Sequence, residues 1–253
     1  MSGHSKWAKI KRKKMGADAA RGRLFTKLIR EITIAAKHGG GDPNSNPRLR
    51  SAIDESKASN MPMDNVERAI KKGTGALEGG QALEEVTYEG YGPNGVAILI
   101  EAVTDNRNRT TSEIKYILSR HNGSLGNQGS VAWQFQTQGI ITVDAKKYNE
   151  DTVIAYALEG GAIDVKTEES IHTIITPPES FVKVKEILKN NNIEIASSEL
   201  AKVPQSTILL SDKDAEKIIK LFEALDELDD VQHVYGNFDI PDAVIEKIST
   251  QEF

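Results

Sequence analysis

Two stretches concentrate side chains suited to binding phosphate. "MSGHSKWAKIKRKK" places Lys6, Lys9, Lys11, Arg12, Lys13 and Lys14 within nine positions, with Trp7 among them. "TDNRNRTTSEIK" places Arg107 and Arg109 directly before Thr110 and Glu113, which have the S/T-x-x-E spacing of a helix capping box. Free backbone N–H groups, a helix dipole and two guanidinium groups would converge there, which suits a phosphate. A surface turn whose arginines pair with local carboxylates fits the same spacing. Trp7 also has two readings. It stacks on a base, as aromatics among cations do, or it anchors the tail by burying its ring against a helical domain.

The overall charge conceals this distribution. The formal net charge of the 253 residues is -5, yet residues 1–72 hold 17 Lys and Arg against 7 Asp and Glu. The remainder holds 15 against 30. Such asymmetry points to a polyanionic partner for the basic third. The competing reading is that the basic third docks on its own acidic body. Self-repulsion among six close cations is expected to keep the first segment mobile until a polyanion meets it.

Other chemistry is poorly represented. The chain has no cysteine, which removes disulfides, thiolate metal sites and cysteine nucleophiles. No pair among His4, His38, His121, His172 and His233 has the spacing of a zinc-binding helix, and no G-x-S-x-G elbow occurs. "HNGSLGNQGS" matches neither the dinucleotide fingerprint nor the P-loop, and reads as a return loop. The acidic run "DELDD", Asp226 to Asp230, reads as a solvated helix end. No apolar run approaches the ~18 residues of a membrane span, and the start has no apolar signal region. The expectation is a cytoplasmic protein without catalytic residues, metal, cofactor, small-molecule substrate or membrane partner.

The elements that must position these residues follow from periodicity. From Ala17 to His38, Phe25, Leu28, Ile29, Ile32 and Ala36 recur at helical spacing. Arg23, Lys27, Arg30 and Lys37 form a stripe roughly opposite. "HGGGDP" ends that helix. A second helix begins with Asn46 as N-cap and Pro47 at its first position. A third begins near Asp64, with Glu67 completing a capping box, and closes at "KKGTG" with Lys71 and Lys72. After the linker "GTGALEGG" the pattern turns to strands. "EEVTYEGYG" and "GVAILIEAVT" flank a hairpin turn, a helix runs from about Thr110 to Arg120, and "SVAWQFQ" is a further strand. "GIITVD" opens a β-α-β-β-α-β stretch, the ferredoxin-like order, and "STILLS", a helix and "VQHVYGNFD" follow it. The fold expected is α+β: a three-helix domain (1–78), an α+β domain (79–136 plus 205–253) and a second ferredoxin-like domain inserted into it (137–204).

"GHSKWAKIK", "ERAIKKG", "YEGYGPNGVAILIE", "TDNRNRTTSE" and "LDDVQHVYGNFDIP" occur in that order across nearly the whole chain. Together they closely resemble the YebC/PmpR family. The resemblance implies a cytoplasmic, three-domain, non-enzymatic regulator of gene expression that binds DNA. The same family includes mitochondrial translational activators, and bacterial members are linked to ribosomes. The residues themselves show no usual helix-turn-helix signature. Their cations suit phosphates, which position a protein without reading sequence, and folded RNA recognised by shape needs only that. The expected contacts are Lys6, Trp7, Lys9, Lys11, Arg12, Lys13, Lys14, Arg23, Lys27, Arg30, Lys71, Lys72, Arg107 and Arg109, with DNA as the partner and ribosomal RNA as the alternative.

Overall fold

The computed structural model describes residues 17–77, 82–168, 170–241 and 244. Three helices come first: α1 (Ala17–Gly39), α2 (Pro47–Ala58) and α3 (Met63–Gly73). The four-residue spacing of Leu28, Ile32 and Ala36 lays one apolar stripe of α1 against Leu49 and Ile53 of α2 and Val66 and Ala69 of α3. Asn46 caps α2 as the sequence predicts, accepting from the Leu49 N–H at 3.1 Å. Its amide also donates to the carbonyls of Ala35 and Gly40, so one side chain ties two helix ends together. The expected Asp64–Glu67 box is absent: α3 starts at Met63 behind Pro62, without a side-chain cap. Gly73, in the last turn of α3, lets the two helices approach closely: a Cβ there would lie 2.3 Å from the Thr33 carbonyl oxygen of α1.

The sheets follow. A hairpin joins β1 (Glu84–Tyr91) to β2 (Ala97–Thr104), with Tyr91 opposite Ala97 and Asn94 left-handed at the turn. Then come α4 (Arg107–Arg120), β3 (Ser124–Leu125), β4 (Phe135–Asp144), α5 (Glu150–Gly160), β5 (Asp164–Glu168), β6 (Ile171–Thr176), α6 (Phe181–Asn190) and β7 (Ile195–Pro204). The chain closes through β8 (Ile208–Leu209), α7 (Asp212–Asp226), β9 (Val231–Gly236) and β10 (Phe238–Asp239). Residues 134–205 form one compact unit; the residues before and after them form another.

Each unit carries a four-stranded antiparallel sheet. In the inner unit the order is β5-β6-β4-β7, the ferredoxin-like arrangement of a β-α-β-β-α-β chain. Ile141, Val143 and Ile174 of the sheet pack there with Val153 of α5 and Val184 and Leu188 of α6. In the outer unit the order is β3-β1-β2-β9, and Ile98, Ile100 and Val234 pack with Ile114 and Leu118 of α4 and Ile218 and Phe222 of α7. Two expected strands are corrected. "SVAWQFQ" divides into a 3-10 turn at Ala132–Gln134 and the start of β4. "STILLS" supplies only β8, which pairs in parallel with β10 outside the main sheet.

Candidate nucleic-acid interface

The arginine motif sits on a helix rather than before one. Asn106 is the N-cap of α4, accepting from the Arg109 N–H at 3.1 Å. Arg107 and Arg109 therefore occupy the first turn, and Thr110 is not a cap. Thr110 is buried and its hydroxyl lies 2.6 Å from Oδ2 of Asp230. Thr104 donates to the same oxygen over 3.0 Å and Arg109 over 2.7 Å. The other oxygen, Oδ1, lies 2.8 Å from the guanidinium of Arg30, which also donates to the Val103 carbonyl. Burial alone would push the Asp230 carboxyl up. The bonds from Thr110 and Arg109, the charge of Arg30 and the bond from Thr104 outweigh it and hold the carboxyl below its ordinary value. The bonds of Arg109 to Asp230 and Asp105 in turn hold its guanidinium more firmly protonated than usual.

The basic stripe of α1 faces this acidic region. Lys27 is buried, and its Nζ donates to both the side chain and the carbonyl of Asp226, at 2.9 and 2.8 Å. That carbonyl lies at the C-terminus of α7, where unpaired C=O groups and the dipole favour a cation. Arg23 lies 3.8 Å from Glu227, and Lys37 donates to the Leu83 carbonyl. Arg48 bonds both oxygens of Glu31 and one of Glu85. A small apolar contact of Ile34, Leu83 and Val103 completes the junction. The expectation of an open cationic stripe is thus corrected for Lys27 and Arg30. Their charges are neutralised by carboxylates of the acidic body, some 200 residues away in sequence.

The other expected residues stand apart. Lys71 and Lys72 are exposed in the last turn of α3. Arg107 is exposed and makes no ion pair among the described residues. Lys6, Trp7, Lys9, Lys11, Arg12, Lys13 and Lys14 lie outside the described residues. One anion-binding loop does exist, but its anion is internal. The buried carboxylate of Glu89 accepts from the N–H groups of Gly129, Val131 and Ala132 at 2.6 to 2.8 Å. Burial would raise this carboxyl; the three backbone donors win and lower it. Sequence reading missed both Glu89 and Asp230. The glycine spacing of "HNGSLGNQGS" signals a loop rich in free N–H groups, and nothing in it names the carboxylate.

Among the described residues no group of three His, Asp or Glu is placed to hold a metal, and no helix is long and apolar enough to cross a membrane. The fold defines a class: α+β proteins in which a helical domain is pinned by ion pairs to a sheet domain that is itself interrupted by a second one. The chain belongs to the TACO1/YebC family. Residues 5–76 match the N-terminal domain of the TACO1/YebC protein, and residues 83–238 match the TACO1/YebC second and third domain. It is 52% identical, over 98% of its length and the whole of the relative, to a probable transcriptional regulatory protein of Syntrophus aciditrophicus. It is 54% identical to one of Sulfurihydrogenibium, over 98% of this chain and 99% of that one. The crystal structure of a conserved hypothetical protein from Aquifex aeolicus superposes with a TM-score of 0.81 at 50% identity, covering 89% of this chain and 93% of the other.

Proposed function

We propose that this protein is a non-enzymatic, nucleic-acid-binding regulator of gene expression in the cytoplasm, acting on DNA in transcription. The observation that carries the reading is the charge of the first 16 residues: six Lys and Arg without one carboxylate, in an otherwise acidic chain. The names of the two relatives support the regulatory part. Lys6, Lys9, Lys11, Arg12, Lys13 and Lys14 are the phosphate contacts, with Trp7 beside them and Arg23, Lys71, Lys72 and Arg107 extending them. Lys27, Arg30 and Arg109 are left out, since each is already paired with a carboxylate of the same chain, Asp226, Asp230 or Asp105. A second reading, translational control through ribosomal RNA, is supported by the phosphate-type character of these cations, which suits an RNA recognised by shape.

The experiment is a salt titration. If about five phosphates are neutralised on a duplex, log affinity falls with log salt at a slope of roughly -4 to -5. Changing Lys11, Arg12, Lys13 and Lys14 to Ser should flatten that slope by about three and weaken all sequences alike. An unchanged slope sinks the proposal. Crosslinking in cells then separates the readings, promoter DNA supporting the first and ribosomal RNA the second.

A further inference from the structure

Within the acidic body, the cations are not scattered. Every Lys and Arg between residues 83 and 133 lies on α4: Arg107, Arg109, Lys115 and Arg120. At ~100° per residue, Asn108, Arg109, Ser112, Glu113, Tyr116, Ser119 and Arg120 fall on the arc opposite the buried Ile114 and Leu118, with Lys115 at its edge, and all of these but Glu113 are exposed. Glu113, half-buried, is the one carboxylate of α4, against the cations Arg109, Lys115 and Arg120. The outer face of α4 is therefore cationic and rich in hydrogen-bonding groups. Residues 83–133 and 206–241 together hold 15 Asp and Glu against 7 Lys and Arg, so this face differs in sign from its surroundings.

Tyr116 gives the face a second character. Its side chain is 60% exposed on a helix whose other apolar residues turn inward. The Arg120 guanidinium lies 5.8 Å from the ring centroid and donates to the phenol oxygen over 3.1 Å. A ring held this way loses little freedom when something stacks on it. At the end of the helix, His121 is discouraged from taking a proton by burial and then by the positive charges of Arg120 and Lys220. Cations, an amide, hydroxyls and an exposed ring along about 18 Å of helix are the parts that single-stranded nucleic acid requires. A duplex is broad enough to bring its far strand over the surrounding carboxylates; a single strand can follow the helix.

We propose that the outer face of α4 binds a single-stranded segment of nucleic acid, with an unpaired base on the Tyr116 ring and the flanking phosphates on Lys115 and Arg120. This rests on the nucleic-acid-binding reading above and adds to it the strand state and a contact remote from the N-terminal cations.

The test uses the full chain and two labelled 12-nucleotide probes, a mixed-sequence DNA single strand and the corresponding DNA duplex, followed by fluorescence anisotropy. Tyr116→Ala should weaken single-strand binding about tenfold and leave duplex binding within about twofold. Tyr116→Phe, which keeps the ring, should bind both as the unchanged protein does. Lys115→Ser with Arg120→Ser should flatten the single-strand salt slope by about 1.4. The idea is overturned if Tyr116→Ala binds the single strand normally, or loses both probes equally, or if Tyr116→Phe loses as much as Ala. Unchanged protein that binds neither probe removes the parent reading and this one together; binding indifferent to Tyr116 removes this one alone.

Discussion

Asp230→Ala is the most demanding perturbation of the outer unit. The carboxylate is 3% exposed and receives Thr104, Thr110 and Arg109 on one oxygen and Arg30 on the other. Its removal leaves the mostly buried Arg30 guanidinium with the Val103 carbonyl alone, while the Thr104 and Thr110 hydroxyls keep each other and the Asn106 carbonyl as partners. Breaking a buried ion pair from one side costs about 3–5 kcal/mol, most of it the penalty of the stranded charge. For a unit of this size, each kcal/mol moves the midpoint by about 2–4 °C, so a drop of about 6–20 °C is expected. Differential scanning calorimetry should show the outer unit's transition shifted and that of residues 134–205 in place. The pH dependence supplies a second readout. Asp230 is held below its ordinary value of 3.8, so its contribution is full above that value and is lost as pH falls through the lower, folded one. Asp230→Asn should accordingly flatten the acid limb of stability below about pH 4. A loss under about 1 kcal/mol, with an unchanged acid limb, would refute the view that this carboxylate pins the helical domain.

Three further outcomes follow from the same geometry. Glu89→Gln keeps the shape but sets an amide N–H against backbone donors; it should cost about 2–4 kcal/mol and speed hydrogen exchange at Gly129, Val131 and Ala132, and native-like exchange there would contradict the internal-anion account. Arg107→Ala should leave stability within about 0.5 kcal/mol, whereas Arg109→Ala, half-exposed but bonded to Asp230, should cost about 1–2 kcal/mol; equal melting curves would show that the Arg109 bond contributes nothing. Replacing residues 134–205 by a short glycine linker should leave a cooperatively folding protein, because the Gln205 N–H and the Gln134 carbonyl already lie 2.8 Å apart; a product with helical signal but no near-ultraviolet circular dichroism would refute separability.

Local signals in this sequence were legible where the structure is also local. The apolar spacing of α1, the Asn46 cap with Pro47, and the β1–β2 hairpin appear as read. So does the ferredoxin-like arrangement, since strand order follows from alternating β and α patterns. The errors share one cause. Thr110 and Glu113 match a capping box, but Thr110 points its hydroxyl at Asp230, so Asn106 takes the cap. Lys27 and Arg30 lie on a helical stripe, as expected, but what a stripe faces is decided by tertiary partners. Theirs are Asp226 and Asp230, at the far end of the chain. The same acidic run, read as a solvated helix end, turns out to be half of a junction.

The nesting of the two units also imposes an order in time. Residues 134–205 are continuous, so the inner sheet is complete before the ribosome has reached α7. The outer sheet is not: β2 waits for β9, whose His233 sits opposite Glu101. At roughly 5–20 residues per second, the 126 residues between Thr104 and Val231 occupy about 6–25 s of synthesis. Through that interval β2, apolar along nearly its whole length, has one unsatisfied edge, the kind of edge that recruits other strands. Lys27 and Arg30 wait for the same final residues. The newborn chain is thus stickier than the finished protein and presents more positive charge, and it remains so until its last fifty residues arrive.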